Sequence, residues 1–207
     1  MLADVMRDTG ASVGLLYLLP PAERVLRLAL AGGVSGQIAA PWARIPLEAA
    51  IPVADAVRER SLVWLGSQED VARRYPRLGI VLPYDFMLAA APITGDGTAW
   101  GGVVLLWPVW HPPQLSRAEE ESINTCCRRA AAILHQAADS GHPLNPPDEP
   151  RLLPAPHPRE VDPVQAAAAL EFTARLPVGC CALDLDGRLT FINPAGTDLG
   201  GPKPWPC

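Results

Sequence analysis

The sequence predicts an α+β protein built from antiparallel hairpins and helices, and three observations support this fold class. Two apolar runs of strand length meet across the turn Gly95-Asp96-Gly97. A long segment that begins at Ser116 has the apolar spacing of an amphipathic helix. A proline-rich stretch then precedes a shorter helix and hairpin. We therefore expect two units of unequal size that a linker separates.

The central hairpin is expected to be covered on both faces. Residues 86–93 and 100–107 are apolar at nearly every position, which is typical of fully buried strands. The Gly and Asp residues between them tolerate the positive φ of a tight turn. Pro92 has no amide hydrogen, so the first strand either ends near it or presents that position to an edge of the sheet.

Composition and charge exclude several classes of function. The chain has 207 residues, enough for one well-buried domain and part of another, and a net charge of −5. This charge leaves no basic surface for a phosphate backbone, so nucleic acid is not an expected partner. No apolar run approaches the ~20 residues of a membrane span, and we expect a cytoplasmic protein with no membrane partner. Sixteen of the seventeen basic residues are Arg, which favours a GC-rich bacterial source.

The five cysteines indicate neither a disulfide framework nor a metal site. They occur as two adjacent pairs, Cys126-Cys127 and Cys180-Cys181, and as Cys207. Neither arrangement has the spacing of metal ligands, and neighbouring side chains point in different directions on a helix or a strand. We expect packed thiols.

The first hundred residues are expected to alternate short strands and helices. Pro52 suits the first turn of a helix, because that position needs no amide hydrogen and has the φ that proline fixes. Residues 38–45 fit no single element. In chain order we expect a helix over 2–8, strands over 13–19 and 25–31, a helix over 52–60 and a strand over 62–65.

Two further helices have capping signals at their starts. Ser67, with Asp70 three residues later, begins a helix that Pro76 ends. Ser116 and Glu119 form a stronger capping box, from which a helix should extend to about Asp139. We interpret its apolar stripe as packing on the protein's own sheet. The alternative is that its end, with the first helix, also pairs with a second copy of the chain.

The composition changes abruptly at Gly141. Eight of the 24 prolines fall between Pro143 and Pro163, and proline continues neither helices nor central strands. We therefore divide the chain into a first domain over 1–139, an extended linker over 140–163 and a second segment over 164–207. In that segment an Ala-rich helix over 164–176 precedes two short strands, which Asp186-Gly187 joins.

The first domain resembles a GAF domain over nearly all of residues 1–138. The resemblance is long and diffuse, and it implies a central antiparallel sheet with helices on one side and a small-molecule pocket on the other. It also implies dimerisation through the terminal helices, which is frequent in that family. The matching stretches are TGASVGLLYLL, VLRLALAGG, AAIPVADAVRERSLVWLGSQEDVARRYP, AAAPITGDGTAWGGVVLLW and QLSRAEEESINTCCRRAAAIL.

The second segment resembles the start of a PAS domain. LPVGCCALDLDGRLTFINPAG is similar to the first two strands of that domain and to the beginning of its next helix. With the proline-rich joint, the pair resembles the sensory half of actinobacterial proteins that end in a PPM-type phosphatase of the sporulation kind or in a histidine kinase. This resemblance implies a phosphatase or kinase effector as a partner.

The residues predict no catalytic site and no enzyme activity. Asp184 and Asp186 follow an apolar strand with the spacing of a haloacid-dehalogenase-type phosphatase, but Arg188 stands where such sites use a hydroxyl residue. A hairpin turn with solvated acids is the simpler interpretation. The turn at Gly95 joins two strands and does not precede a helix N-terminus, so it is not a phosphate-binding loop. No P-loop, G-x-S-x-G or H-E-x-x-H motif occurs.

A ligand pocket is predicted from aromatic residues near the helix-poor face of the expected sheet. The alternative is that these large rings are ordinary core. No cysteine is placed to attach a bilin and no cyclic-nucleotide signature occurs, so the sequence identifies neither a cofactor nor a ligand. The candidate ligand-binding residues are Trp42, Trp64, Tyr75, Tyr84 and Phe86.

These observations predict a signal-sensing module that binds a small molecule or a partner and transmits the signal through its terminal helices, as a homodimer. Two alternatives stay open. The chain is the severed regulatory end of a PPM-type phosphatase or histidine kinase, or it is a ligand-free dimerisation scaffold with a filled core.

Overall fold

The computed structural model describes residues 1–82, 85–142 and 144–154, together with the backbone of residues 181–183 and 189–192. The chain divides into two units, Met1–Pro156 and His157–Cys207. The elements of the first unit are α1 Leu2–Thr9, β1 Val13–Leu18, β2 Val25–Gly32, α2 Gly36–Ala39, β3 Arg44–Pro46, α3 Pro52–Glu59, β4 Val63–Leu65, α4 Gln68–Arg74, α5 Pro76–Val81, β5 Phe86–Gly95, β6 Thr98–Pro108, α6 Arg117–Asp139 and β7 Arg151–Leu153. The second unit contains β8 Cys181–Leu183 and β9 Leu189–Ile192.

One sheet of seven strands organises the first unit. Its main path is β3-β2-β1-β6-β5-β4, in which all neighbours are antiparallel. β7 lies off this path and pairs with β2 in parallel. β3 pairs with residues 25–27 of β2 and β7 with residues 30–32, so both lie along the same edge of β2. The central antiparallel sheet that the GAF resemblance implies is thus present.

The central hairpin is confirmed as β5 and β6. Asp96 and Gly97 turn the chain with φ of 48° and 76°, the positive values that a tight hairpin turn needs. Pro92 lies within β5. The pairing of β5 with β4 ends at Ala90, two residues earlier, so the missing amide hydrogen of Pro92 costs no hydrogen bond to β4. Alternate residues of β5 enter two separate cores, Met87, Ala89 and Ala91 in one and Phe86, Leu88 and Ala90 in the other. The strand is covered on both faces, as predicted.

Helices cover both faces of the sheet. α1 and α6 lie on one face, where Leu2, Met6 and Ile123 are buried in the first core. α3, α4 and α5 contribute Val53, Val71 and Leu78 to the second core on the other face. The expectation of helices on one side only is therefore wrong, because α3 buries an apolar stripe of small and branched residues against β5 and β6.

Two glycines allow α1 to lie close to the sheet. A Cβ on Gly14 would lie 2.5 Å from Sδ of Met6, and one on Gly32 would lie 2.9 Å from the same atom. Gly14 and Gly32 are paired across β1 and β2, so together they leave room for one buried methionine. The small residues at these strand positions set the distance between α1 and the sheet.

The capping predictions are confirmed for α6 and in part for α4. The amide of Glu119 donates to Oγ of Ser116 at 3.3 Å, and the amide of Ser116 donates to Oε2 of Glu119 at 2.8 Å. Ser67 also caps α4, accepting from the amide of Asp70 at 3.1 Å. The carboxylate of Asp70, however, accepts from the Ser67 hydroxyl at 3.0 Å, so the predicted reciprocal contact to the Ser67 backbone is replaced by a side-chain bond.

Part of the predicted linker belongs to the first unit. β7 lies inside the stretch assigned to the linker, and its residues 151–153 pair with β2. Leu144 and Leu153 pack against the first core, Pro146 is buried, and Arg27 forms an ion pair with Asp148 at 3.2 Å. The segment from Leu144 to Leu153 is extended, as its proline content indicates, but it is docked on the sheet.

The described backbone of the second unit is an antiparallel pair. β8 and β9 pair from Cys181 opposite Ile192 to Leu183 opposite Leu189, which confirms that the two predicted strands pair. The helix predicted over 164–176 and the turn at Asp186-Gly187 lie outside the described residues.

Among the helices that the structure describes, none is both long enough and apolar enough to cross a membrane.

Candidate functional site

A cleft of about 640 Å³ opens between α4 and the loop that follows β6, and we call it the α4 cleft. Its base is the end of β4 and the turn into α4, and its far wall is the loop residue Pro113. Apolar groups lie at the base and charged groups at the rim. The lining residues are Trp64, Leu65, Gly66, Ser67, Asp70, Arg73, Arg74, Pro113 and Gln114.

The base of the α4 cleft is held in a fixed position. Nε1 of Trp64 donates to the carbonyl oxygen of Pro113 at 2.8 Å, which joins β4 to the loop. The Trp64 ring also lies edge-on to Trp107, with 5.5 Å between centroids. A Cβ on Gly66 would lie 2.3 Å from the same Pro113 oxygen, so a residue without a side chain is required for this approach.

The rim of the α4 cleft carries two arginines and one carboxylate. Ser67 and Arg73 both donate to Asp70, the first to Oδ2 and the second to Oδ1. Arg74 has a looser environment. Its guanidinium lies 4.0 Å from Oε2 of Glu59 and 5.5 Å from the ring centroid of Tyr75. Of the lining residues two are cationic and one is anionic, so the rim is positive although the chain is negative overall.

Of the predicted ligand-binding residues that the structure describes, one lies apart from the other three. Trp64 is half-buried, packs against the first core and borders the α4 cleft. Tyr75 and Phe86 are buried in the second core on the opposite face, and Trp42 is half-buried against that core. Tyr84 lies outside the described residues. The two faces are set by register, since Trp64 pairs with Ala89, whose side chain enters the first core.

The second core contains two tyrosines whose rings are almost completely buried. Tyr17 and Tyr75 are each only 1% exposed there. The Tyr75 hydroxyl donates to Oδ2 of Asp55 at 2.8 Å, and burial together with this carboxylate raises the pKa of Tyr75. Tyr75 and Phe86 are thus buried among the apolar residues of the second core.

Sequence reasoning missed the arginines of the rim. Arg73 and Arg74 occupy the last turn of a helix that the sequence predicts. Positive charges there interact favourably with the helix dipole, so the two arginines do not by themselves indicate a binding site. Their position beside Trp64 depends on how α4 folds back against β4. The only local signal was the Ser67 cap, which fixes where that helix begins.

A second cleft, of about 520 Å³, lies between the β5–β6 turn and α6. Nε2 of His135 lies 3.3 Å from Oδ2 of Asp139 and 3.6 Å from Oδ2 of Asp96 at its rim. These three side chains are exposed, and such surface contacts between titratable groups contribute little to stability. Within the part of the chain that the structure describes, no group of three His, Cys, Asp or Glu residues could hold a metal ion.

Solved structures similar to the chain share one fold. The GAF domain of the Acinetobacter phosphoenolpyruvate-protein phosphotransferase is 19% identical, with a TM-score of 0.53 over 68% of this chain and 81% of that one. A GAF domain/HD domain protein from Geobacter sulfurreducens is 15% identical, with a TM-score of 0.55 over 66% and 89%. The GAF-B domain of DevS from Mycobacterium smegmatis is 19% identical, with a TM-score of 0.51 over 68% and 91%.

The fold is that of a GAF domain. Identities this low show the GAF fold alone, and the ligands of such domains do not transfer with it. No protein-family model matches the sequence, and no curated protein matches it either. In this GAF fold the α4 cleft lies at the edge formed by β4, and the second core lies beneath α3.

Proposed function

We propose that the chain is a cytoplasmic sensory and regulatory module without catalysis of its own, which binds a small molecule in the α4 cleft. The observation that carries the proposal is the α4 cleft itself. It is large enough for a small organic ligand, and its base includes Trp64, which the sequence already indicated as a candidate.

The same proposal gives the terminal helices the role of transmitting the signal. α1 and α6 pack together on one face of the sheet, and Trp107 connects that face to the cleft. Trp107 contacts Trp64 and donates from Nε1 to the carbonyl oxygen of Thr9, the last residue of α1, at 2.8 Å. A ligand that moves Trp64 would therefore act on α1 through one intervening ring.

The partners remain proposals that rest on resemblance. A homodimer through α1 and α6, a PPM-type phosphatase or histidine kinase as effector, and a PAS-like second segment all follow from the families that the sequence resembles. Ile133 on α6 is 59% exposed and offers one apolar contact for a second copy.

A ligand-free scaffold is the second candidate, and the burial of Tyr17 and Tyr75 in the second core favours it. If no ligand binds, the fold would serve only to bring two chains together. Native mass spectrometry of the purified protein, followed by the same sample under denaturing conditions, separates the two candidates. Mass lost on denaturation would support the sensory module, whereas a bare chain in the dimeric state would support the scaffold.

A further inference from the structure

Trp64 gives the α4 cleft a preformed aromatic surface. The indole is held by the hydrogen bond to Pro113 and by edge contacts with Trp107 and His111, whose ring centroids lie 5.5 Å and 5.8 Å away. Trp64 is half-buried and lines the cleft, so part of its side chain is accessible there. A rigid aromatic surface of this kind binds planar groups with little loss of conformational freedom.

Arg74 supplies hydrogen-bond donors that its own surroundings use only in part. Its described contacts are Glu59 at 4.0 Å, the outer limit of an ion pair, and the face of Tyr75. A guanidinium has five N–H donors in a planar fork, which matches the two oxygens of a carboxylate. Arg74 is therefore the group at the rim that is most available to an anion.

Asp70 does not turn the α4 cleft into a cation site. Oδ2 accepts from the Ser67 hydroxyl and Oδ1 accepts from Arg73, so both oxygens already have donors. Arg73 in turn donates to Asp70, whereas the carboxylate nearest to Arg74 is Glu59 at 4.0 Å, which does not line the cleft. The charge presented to a ligand is therefore positive.

From these contacts we infer that the α4 cleft binds a planar aromatic monocarboxylate, whose ring lies against Trp64 and whose carboxylate pairs with Arg74. This inference rests on the proposed sensory function and adds the chemical class of the ligand. The ligand lies beside β4 and α4 and leaves the packed second core beneath α3 undisturbed.

The test uses three probes on the full chain: 2-naphthoate, its neutral amide and inorganic phosphate. The readout is the ¹H–¹⁵N cross-peak of the Trp64 indole, assigned with Trp64→Phe, because it reports on the cleft itself. We expect 2-naphthoate to shift this peak, and the amide and phosphate to bind about tenfold more weakly or worse. Arg74→Gln should weaken the binding of 2-naphthoate by a similar factor. The matched control Arg129→Gln, at an exposed position of α6, should leave that binding unchanged.

The results distinguish failure of the inferred ligand class from failure of the proposed function. Equal binding of acid and amide, or acid binding that Arg74→Gln leaves unchanged, would overturn the inference. A small molecule that is bound to the purified protein in native mass spectrometry and that 2-naphthoate does not displace would also overturn the inference. That result would still support the sensory function. A bare chain that binds none of the probes would overturn the inference and the proposed function together.

Discussion

The largely buried side chains of His111 and Glu119 are in contact and tie the loop after β6 to the first turn of α6. Nε2 of His111 lies 2.7 Å from Oε1 of Glu119, and its Nδ1 lies 2.7 Å from the carbonyl oxygen of Pro112. The ring of His111 thus lies between two oxygen acceptors, one on the loop and one on α6. The side chains of His111 and Glu119 are only 10% and 17% exposed.

Glu119→Gln should destabilise the protein at neutral pH and much less in acid. Burial raises the pKa of Glu119, but hydrogen bonds from Ser116 and His111 outweigh it and hold that pKa below its ordinary value of 4.5. An acid whose pKa falls on folding stabilises the native state when ionised, and this contribution is lost as the pH drops below that ordinary value. We expect a loss of about 1–2 kcal/mol in the free energy of unfolding at pH 7.

Urea unfolding of the wild type and Glu119→Gln at neutral and at acidic pH measures this effect. Glu120→Gln, on the exposed side of the same turn, is the matched control and should change little at either pH. A penalty for Glu119→Gln that is the same at both pH values would show that the ionised Glu119 carboxylate does not stabilise the fold.

Gly14→Ala should destabilise the first unit by about 1–3 kcal/mol, the usual cost of overpacking a core. The added methyl would lie 2.5 Å from Sδ of Met6, beneath α1. Thermal unfolding measures the change, and Gly36→Ala, where a Cβ meets only Leu152 at 3.6 Å, is the control. Met6→Ala should lower the free energy of unfolding less in the Gly14→Ala background than in the wild type. Additive effects of the two substitutions would contradict the close contact between Gly14 and Met6.

Leu153→Ala should destabilise the protein more than Leu152→Ala. Leu153 packs against the first core, whereas Leu152 on the same strand is 48% exposed. We expect a difference of about 1 kcal/mol in the free energy of unfolding, because less apolar surface is buried at Leu152. Hydrogen exchange of the amides in β7 provides a second measurement. If both substitutions have the same effect, the segment is not docked on β2 in solution.

Trp107→Phe should lower the free energy of unfolding by about 1 kcal/mol more than Trp100→Phe does. Both rings are buried in the first core and both substitutions remove the same volume. Nε1 of Trp107 donates to Thr9, whereas the buried Nε1 of Trp100 has no partner among the residues that the structure describes. The free energies of unfolding of the two variants in urea test this difference. Equal losses would mean that the bond to Thr9 contributes nothing to the net stability.

Most elements of the first unit could be predicted, because their signals are local. The capping box at Ser116, the turn at Asp96 and Gly97 and the apolar runs beside it act within a few residues. The sequence does not predict α5, and the reason is equally local. Pro76 ends α4, but it also occupies the first turn of the next helix, and proline favours both positions.

What the sequence could not predict depends on contacts between distant residues. The sequence predicts Trp64 and Phe86 in one pocket, yet the register that pairs Trp64 with Ala89 places their side chains on opposite faces of the sheet. β7 has only three residues, and its pairing with β2 is supported by Leu144 and Leu153. The α4 cleft arises in the same way, since Arg74 and Pro113 are far apart in the chain.

The contact between Glu119 and His111 has a mechanical consequence for α6. It ties the first turn of the helix to the loop after β6. The same loop carries Pro113, whose carbonyl oxygen accepts from Trp64 at the base of the α4 cleft. Movement of α6 along its axis would therefore either break the contact with His111 or pull on the far wall of the cleft.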